Sequence, residues 1–169
     1  NDNGMILVKQ SGKWAILDQN LKNVTDFVFT DVAVNSKNQV FSGNYAVVAD
    51  ENGYFLIDQK GKACFEKRFP NAKGMEGGYY AVADESGQWG FADEKGELVV
   101  PCQYVDAYSF SNQTAAVQYA GKWGYINRYG NMVIDAQFST ALPFLNGKAM
   151  VQDDQENIKV LELRYFDTF

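Results

Sequence analysis

The chain has 169 residues, with 15 basic and 21 acidic side chains, a net charge of −6 and no histidine. That balance excludes the basic surface that nucleic-acid phosphates demand, and no apolar run approaches the roughly 18 residues of a transmembrane helix. The commonest general base and metal ligand is missing with histidine.

Met5–Val8 opens a series of five short apolar segments, continued by Tyr45–Ala49, Tyr80–Ala83, Thr114–Val117 and Lys148–Val151. Polar residues follow the first four, and then a Ser-Gly, Asn-Gly or Ala-Gly pair. This is a hairpin signature, because both central residues can take positive φ. The second strand of each hairpin carries an aromatic residue, Trp14, Tyr54, Trp89 or Trp123. Its alternate positions are apolar on both faces, which predicts a strand covered on both sides. Gly90 and Gly124, beside the tryptophans, predict the close approach of another layer. The four aromatics read as core, since residues that recur at every period maintain the period.

Next comes Asp-x-x-Gly, at Asp58–Gly61 and Asp93–Gly96, and at Asn127–Gly130 with asparagine first. The leading side chain can bond the backbone ahead, and the glycine supplies a left-handed residue. In the first unit Leu21 replaces the glycine, so positive φ is expected at Asn20. A third strand at Asn23–Thr25, Ala63–Phe65, Leu98–Val100 and Met132–Ile134 completes a three-stranded meander. The turn residues Asp18, Asp58, Asp93 and Asn127 lie 40, 35 and 34 residues apart.

A last landmark steps by three: Phe29/Val32, Phe69/Ala72/Met75, Tyr104/Ala107/Phe110 and Phe138/Ala141/Phe144. That step predicts a helical or 3₁₀ turn plugging the gap between meanders. Extra residues lie between Val32 and Phe41, and Phe41 takes the place of Phe110 and Phe144. In the incomplete last unit, Ile158, Val160 and Leu161 supply a second strand and Arg164–Phe166 a third. Its divergence is expected of a terminal repeat whose outer face meets water.

The predicted fold is all-β: tandem three-stranded antiparallel β-meander repeats of about 34 residues. They form one repeat domain over 1–169, with units at about 1–41, 42–76, 77–110, 111–144 and 145–169. The insertion in the first unit and the divergence of the fifth predict an open, twisted array. A closed five-bladed propeller is the alternative.

Asp58 and Asp93 read as turn residues, because a calcium site needs about six oxygen ligands. Asp153, Asp154 and Glu156 read as a solvated hairpin loop. The pairs Asp50/Glu51 and Asp84/Glu85 invite a glycosidase reading. They recur at equivalent places before the hairpin turns, whereas a catalytic pair needs unlike environments. Cys64 and Cys102 are too few for a disulfide framework, and Cys64 is expected to be a buried thiol. Neither a catalytic or metal site nor a cofactor is predicted. The candidate ligand surface consists of residues that break the period: Lys37–Val40, Arg68, Tyr79, Tyr108, Tyr119 and Tyr129.

The recurring Gly-Lys/Gln-Trp-Gly-Phe/Tyr with Asp-x-x-Gly is clearest over Gly87–Tyr104 and Gly121–Phe138. It resembles the WG (KWG) repeat family of bacterial β-repeat proteins. In the other units Ala15 follows Trp14, and Tyr54-Phe55 replaces the Trp-Gly pair. The family is not defined by an enzymatic activity. The resemblance implies a non-catalytic binding or scaffolding module with a protein or glycan partner, in a secreted, periplasmic or cell-surface setting. A carboxylate-based hydrolase with an acidic cleft is the alternative from another class.

Overall fold

The computed structural model describes residues 4–163, and every helix or strand among them is a β-strand. The first sheet pairs β1 (Ile6–Gln10) with β2 (Lys13–Leu17). The second contains β3 (Asp31–Val32), β4 (Phe41–Ser42), β5 (Tyr45–Asp50) and β6 (Gly53–Ile57). The third runs β7 (Asn71–Ala72), β8 (Tyr79–Ala83), β9 (Trp89–Asp93) and β10 (Leu98–Tyr104). The fourth repeats it as β11 (Asp106–Ala107), β12 (Thr114–Tyr119), β13 (Lys122–Asn127) and β14 (Met132–Phe138). The fifth contains β15 (Thr140–Ala141), β16 (Lys148–Gln152) and β17 (Ile158–Glu162). Pairing is antiparallel within the sheets, and none of them closes into a barrel. The array is open. The third strand expected at Arg164–Phe166 lies outside the described residues.

The turns form as their sequence dictates. Asp58 Oδ1 accepts the amides of Lys60 and Lys62 at 2.8 and 2.9 Å, and Asp93 and Asn127 repeat the pattern. Asp153 does the same for Gln155 and Asn157 in the last hairpin. In the first unit Leu21, not Asn20, takes the positive φ, at 61°. Its amide donates to Asp18 O as that of Gly61 does to Asp58 O. The turn therefore fixes the left-handed position, whichever residue stands there.

The triplets that step by three are extended, not helical. Phe69 bonds back to Tyr54 of the second sheet, and two residues later Asn71 pairs with Ala83 of the third. The chain changes sheets between them, which offsets the alternation of faces and leaves both Phe69 and Ala72 buried. Each meander thus gains a short strand from the tail of the unit before it. The triplets do fill the gaps: Phe110 lies 4.6 Å from Phe91, and Phe144 lies 4.8 Å from Tyr125.

The layer that approaches Gly90 and Gly124 is the third strand of their own sheet. A Cβ on Gly124 would stand 2.6 Å from Ile134 O. With glycine there, β10 and β14 run unbroken for seven residues, through bulges. Where Ala15 and Phe55 stand instead, no continuous third strand forms, and the segment touches its neighbour at isolated bridges: Leu17 to Asn23 and Trp14 to Phe29, Ile57 to Ala63 and Tyr54 to Phe69.

The core lies between successive sheets. Phe29, Phe41, Phe55 and Ile16 pack between the first and second, and Leu56, Phe69, Met75 and Tyr80 between the second and third. Trp89 and Trp123 are buried, whereas Trp14 and Tyr54 are half-buried. Among the described residues nothing hydrogen-bonds the buried Tyr80 hydroxyl. Cys64, expected to be buried, is exposed. It alternates with Ala63 and Phe65, which pack inward, so the period of two turns its side chain out.

Candidate functional site

Between its short strand and its long first strand each of the last four sheets has a joint, near residues 33–40, 73–78, 108–113 and 142–147. The joints are stitched to one another by polar contacts. The Gly74 amide donates to Val34 O at 3.0 Å, and Asn35 Nδ2 donates to Met75 O at 3.2 Å. Ser109 Oγ donates to Gly74 O at 2.7 Å, and Ser111 Oγ to Phe144 O at 2.5 Å. Gly74 sits against the first joint so closely that a Cβ would lie 2.3 Å from the Asn35 nitrogen. Only glycine fits there.

The four joints surround one cleft of about 330 Å³. Val34, Asn35 and Ser36 line it from the first joint, Lys73 from the second, Tyr108 and Ser109 from the third and Pro143 from the fourth. Residues of the first and fourth joints therefore face a common space, which makes the open array strongly curved. A neighbouring cleft of about 480 Å³ lies against Lys37, Asn38, Asn112 and Asn146.

The charges here are matched within the protein. Lys73 Nζ lies 2.9 Å from Asp106 Oδ1, donates to Ala107 O, and stands 4.7 and 4.9 Å from the Trp89 and Tyr108 ring centres. Glu76, buried in the second joint, accepts Ser36 Oγ at 2.5 Å and pairs with Lys37 Nζ at 2.8 Å. Those two contacts anchor the inserted loop of the first unit. Asn35, Ser36, Lys73 and Ser109 all bond within the protein, so the cleft presents satisfied polar groups and compensated charge beside Val34, Tyr108 and Pro143, with no unmatched charge for an ionic ligand.

Of the predicted ligand residues, the structure puts Tyr108 in the first cleft and Lys37 in the second. Tyr79 packs on Phe110 at 5.6 Å. Arg68 bonds Asp50 Oδ2 at 3.1 Å and covers the Phe55 ring at 3.5 Å. Tyr119 and Tyr129 are exposed at opposite ends of the fourth sheet, Tyr129 bonded to Arg128 Nη2 at 2.7 Å. These six residues do not share one surface.

Asn35, Ser36, Lys73, Ser109 and Pro143 did not stand out in the sequence. A signal was present: between the recurring Ala72/Ala107/Ala141 and Met75/Phe110/Phe144, the paired positions read Lys-Gly, Tyr-Ser and Leu-Pro. Variable positions framed by constant ones mark where a repeat is free to specialise.

The acidic pairs close turns. Asp84 Oδ1 accepts the amides of Ser86 and Gln88 and the Ser86 hydroxyl, which holds its carboxyl below the usual range. Asp50 bonds the Asn52 amide and Arg68. Among the described residues no cluster of cysteine, aspartate and glutamate is arranged to hold a metal ion.

A family model described as a WG containing repeat matches residues 89–123 and 123–156. The resemblance stated above holds over these two units, each match beginning on a tryptophan. No curated protein matches the chain. Among solved structures, the computationally designed Ika8 protein superposes with a TM-score of 0.58 at 11% identity, over 95% of this chain and 56% of that one. BamB from Moraxella catarrhalis does so with a TM-score of 0.54 at 13% identity, over 98% and 56%. The computationally designed Ika4 protein reaches 0.52 at 12% identity, over 80% and 91%. At these identities the likeness is one of fold. The chain spans 56% of the length of Ika8 and of BamB.

Proposed function

We propose that this chain, whose residues 89–156 match two WG containing repeats, is a non-catalytic binding module. It receives an uncharged polar segment, of a glycan or of a protein, in the cleft where the four joints meet. One observation carries the reading: residues that differ from joint to joint gather around one cleft with its charges already compensated. A ligand that brought a charge would have to displace Asp106 from Lys73 or Lys37 from Glu76. A neutral one needs only to exchange hydrogen bonds with water.

The setting we propose is extracytoplasmic, on the strength of the WG-repeat resemblance. Cleavage of the chain by protease added to intact cells of its native host tests this, and full protection would refute it.

Val34→Trp tests the cleft, because Val34 is 44% exposed and lines it. Arrays of neutral glycans and of peptides are probed with the parent and with the variant. Capture by the parent, lost in the variant at an unchanged melting temperature, is the expected result. Equal capture by both places the binding surface elsewhere.

A further inference from the structure

The two clefts adjoin, since Ser36 lines both. They differ in what they offer. The polar groups of the first are bonded within the protein, whereas the second brings together three exposed asparagines, Asn38, Asn112 and Asn146. Among the described residues no hydrogen bond engages the side chain of Asn38 or of Asn146. Asn112 Oδ1 accepts the Gly147 amide at a long 3.4 Å, and its own amide group donates to nothing among those residues.

Turn geometry alone does not call for these asparagines. In each of the last four sheets a two-residue turn leads into the long first strand, closed by Ser42 on Tyr45, Glu76 on Tyr79, Ser111 on Thr114 and Leu145 on Lys148. The first corner is left-handed in all four, with φ of 59° at Gly43, 63° at Gly77, 50° at Asn112 and 51° at Asn146. Glycine and asparagine both tolerate that conformation. Glycine stands at the two corners that line neither cleft, and asparagine at the two that line the second. Asn38 reaches the same space from the inserted loop of the first unit, outside that register. The carboxamides follow the cleft, not the turn.

A carboxamide sets two N–H donors beside a carbonyl acceptor. Vicinal hydroxyls on a sugar ring, each able to donate and accept, match that pairing. Leu145, 47% exposed among the asparagines, gives the C–H face of such a ring an apolar surface. Lys37, the cation of this cleft, is held by Glu76 at 2.8 Å, so no ligand charge is needed to balance it. A peptide fits less well. Main-chain recognition adds a strand to an open sheet edge, and here Ser111 and Thr114, like Leu145 and Lys148, already bond each other in both directions.

We infer that the second cleft is a binding site for a neutral oligosaccharide, whose vicinal hydroxyls are bonded by Asn38, Asn112 and Asn146. The inference rests on the proposal that the joints form a ligand site, and it names the ligand's chemistry: a glycan, not a peptide. The volumes of the clefts, about 330 and 480 Å³, suit such a ligand, since binding sites run from roughly 300 to 1,000 Å³.

Arrays of neutral oligosaccharides of glucose, galactose, mannose and their N-acetyl derivatives, beside an array of uncharged peptides, are probed with the parent, Asn112→Gly and Asn146→Gly. Glycine already fills the same corner at Gly43 and Gly77, so both variants should keep the parental melting temperature. The parent should capture glycans and lose them once periodate has cleaved their vicinal diols. Each variant should weaken capture roughly tenfold, as the loss of two neutral hydrogen bonds does. Parental capture by both variants overturns the inference, as does capture indifferent to periodate. So does a parent that captures peptides alone or no glycan. Asn146→Asp, which keeps the size and turn preference of asparagine and removes its amide donors, replaces a variant that does not melt cooperatively. Val34→Trp separates the two clefts. Loss of capture there, with parental capture by the glycine variants, overturns this inference and leaves the first cleft standing; the reverse pattern supports the second cleft and refutes the first.

Discussion

A Cβ on Gly90 would stand 2.5 Å from the carbonyl oxygen of Val100, in the third strand of the same sheet. This contact lets β10 lie continuously along β9. Gly90→Ala and Gly124→Ala should therefore force the third strand away, with losses of about 1–3 kcal/mol, as overpacking of a close backbone contact causes. Phe55→Gly, where the third strand already stands off, gains no such strand and loses a buried ring. Chemical denaturation of the three variants checks this, and parental stability of Gly124→Ala would refute the close approach.

Trp89 and Trp123 are 9% and 8% exposed in equivalent environments. Replacing either with alanine should cost roughly 3–5 kcal/mol, as for other large buried aromatics. Tyr108 belongs partly to the same core, since its ring stands 5.4 Å from Trp123 and 4.9 Å from Lys73 Nζ. Tyr108→Ala should cost about 1–2 kcal/mol from the lost ring and cation contacts. Tyr129→Ala, on an exposed turn, should stay within about 0.5 kcal/mol of the parent. Thermal unfolding separates the four, and tryptophan variants that melt like the parent would mean the rings are exposed.

Gly96, Gly130 and Gly147 all have positive φ, at 77°, 82° and 76°. Valine at any of them meets the left-handed penalty of about 1–2 kcal/mol. Their surroundings differ: a Cβ would lie 2.7 Å from the Phe65 ring at Gly96, 3.3 Å from Val100 at Gly130, and in open space at Gly147. Gly96→Val should be the most damaging and Gly147→Val the least. Urea midpoints in any other order would contradict these contacts.

Burial, and then the hydrogen bond and charge of Asp31, push the Tyr54 phenol up to about 12. Burial also raises Tyr80 and Tyr125. A raised value means that the fold favours the neutral phenol. The stability it contributes is intact below pH 10 and is lost as pH climbs through about 12. Tyr54→Phe should flatten the fall in melting temperature over that interval, leaving the part due to the other tyrosines. Parallel curves for parent and variant would show that the Tyr54 phenol is not raised by the fold. On the acid side, Asp153 is held at about 2 by Lys159 and then by Asn157, so its contribution is intact above the ordinary carboxylate range and is lost as pH drops from there through about 2.

The sequence by itself determined the repeat, its hairpins and its turns. Those features rest on interactions within a few residues of each other, such as the Asp58 side chain with the amides of Lys60 and Lys62. Alternation along the second strands foretold their burial for the same local reason. Only the tertiary structure decided what happens where the chain leaves one sheet for the next. There Phe69 and Asn71 belong to different sheets, and the change of ladder gave a step of three that imitates a helix. The cleft has the same origin. Val34, Lys73, Ser109 and Pro143 come from four joints, and they meet because the packing of each sheet on the next curves the array. Curvature accumulates over interfaces between units, so no single stretch of sequence contains it.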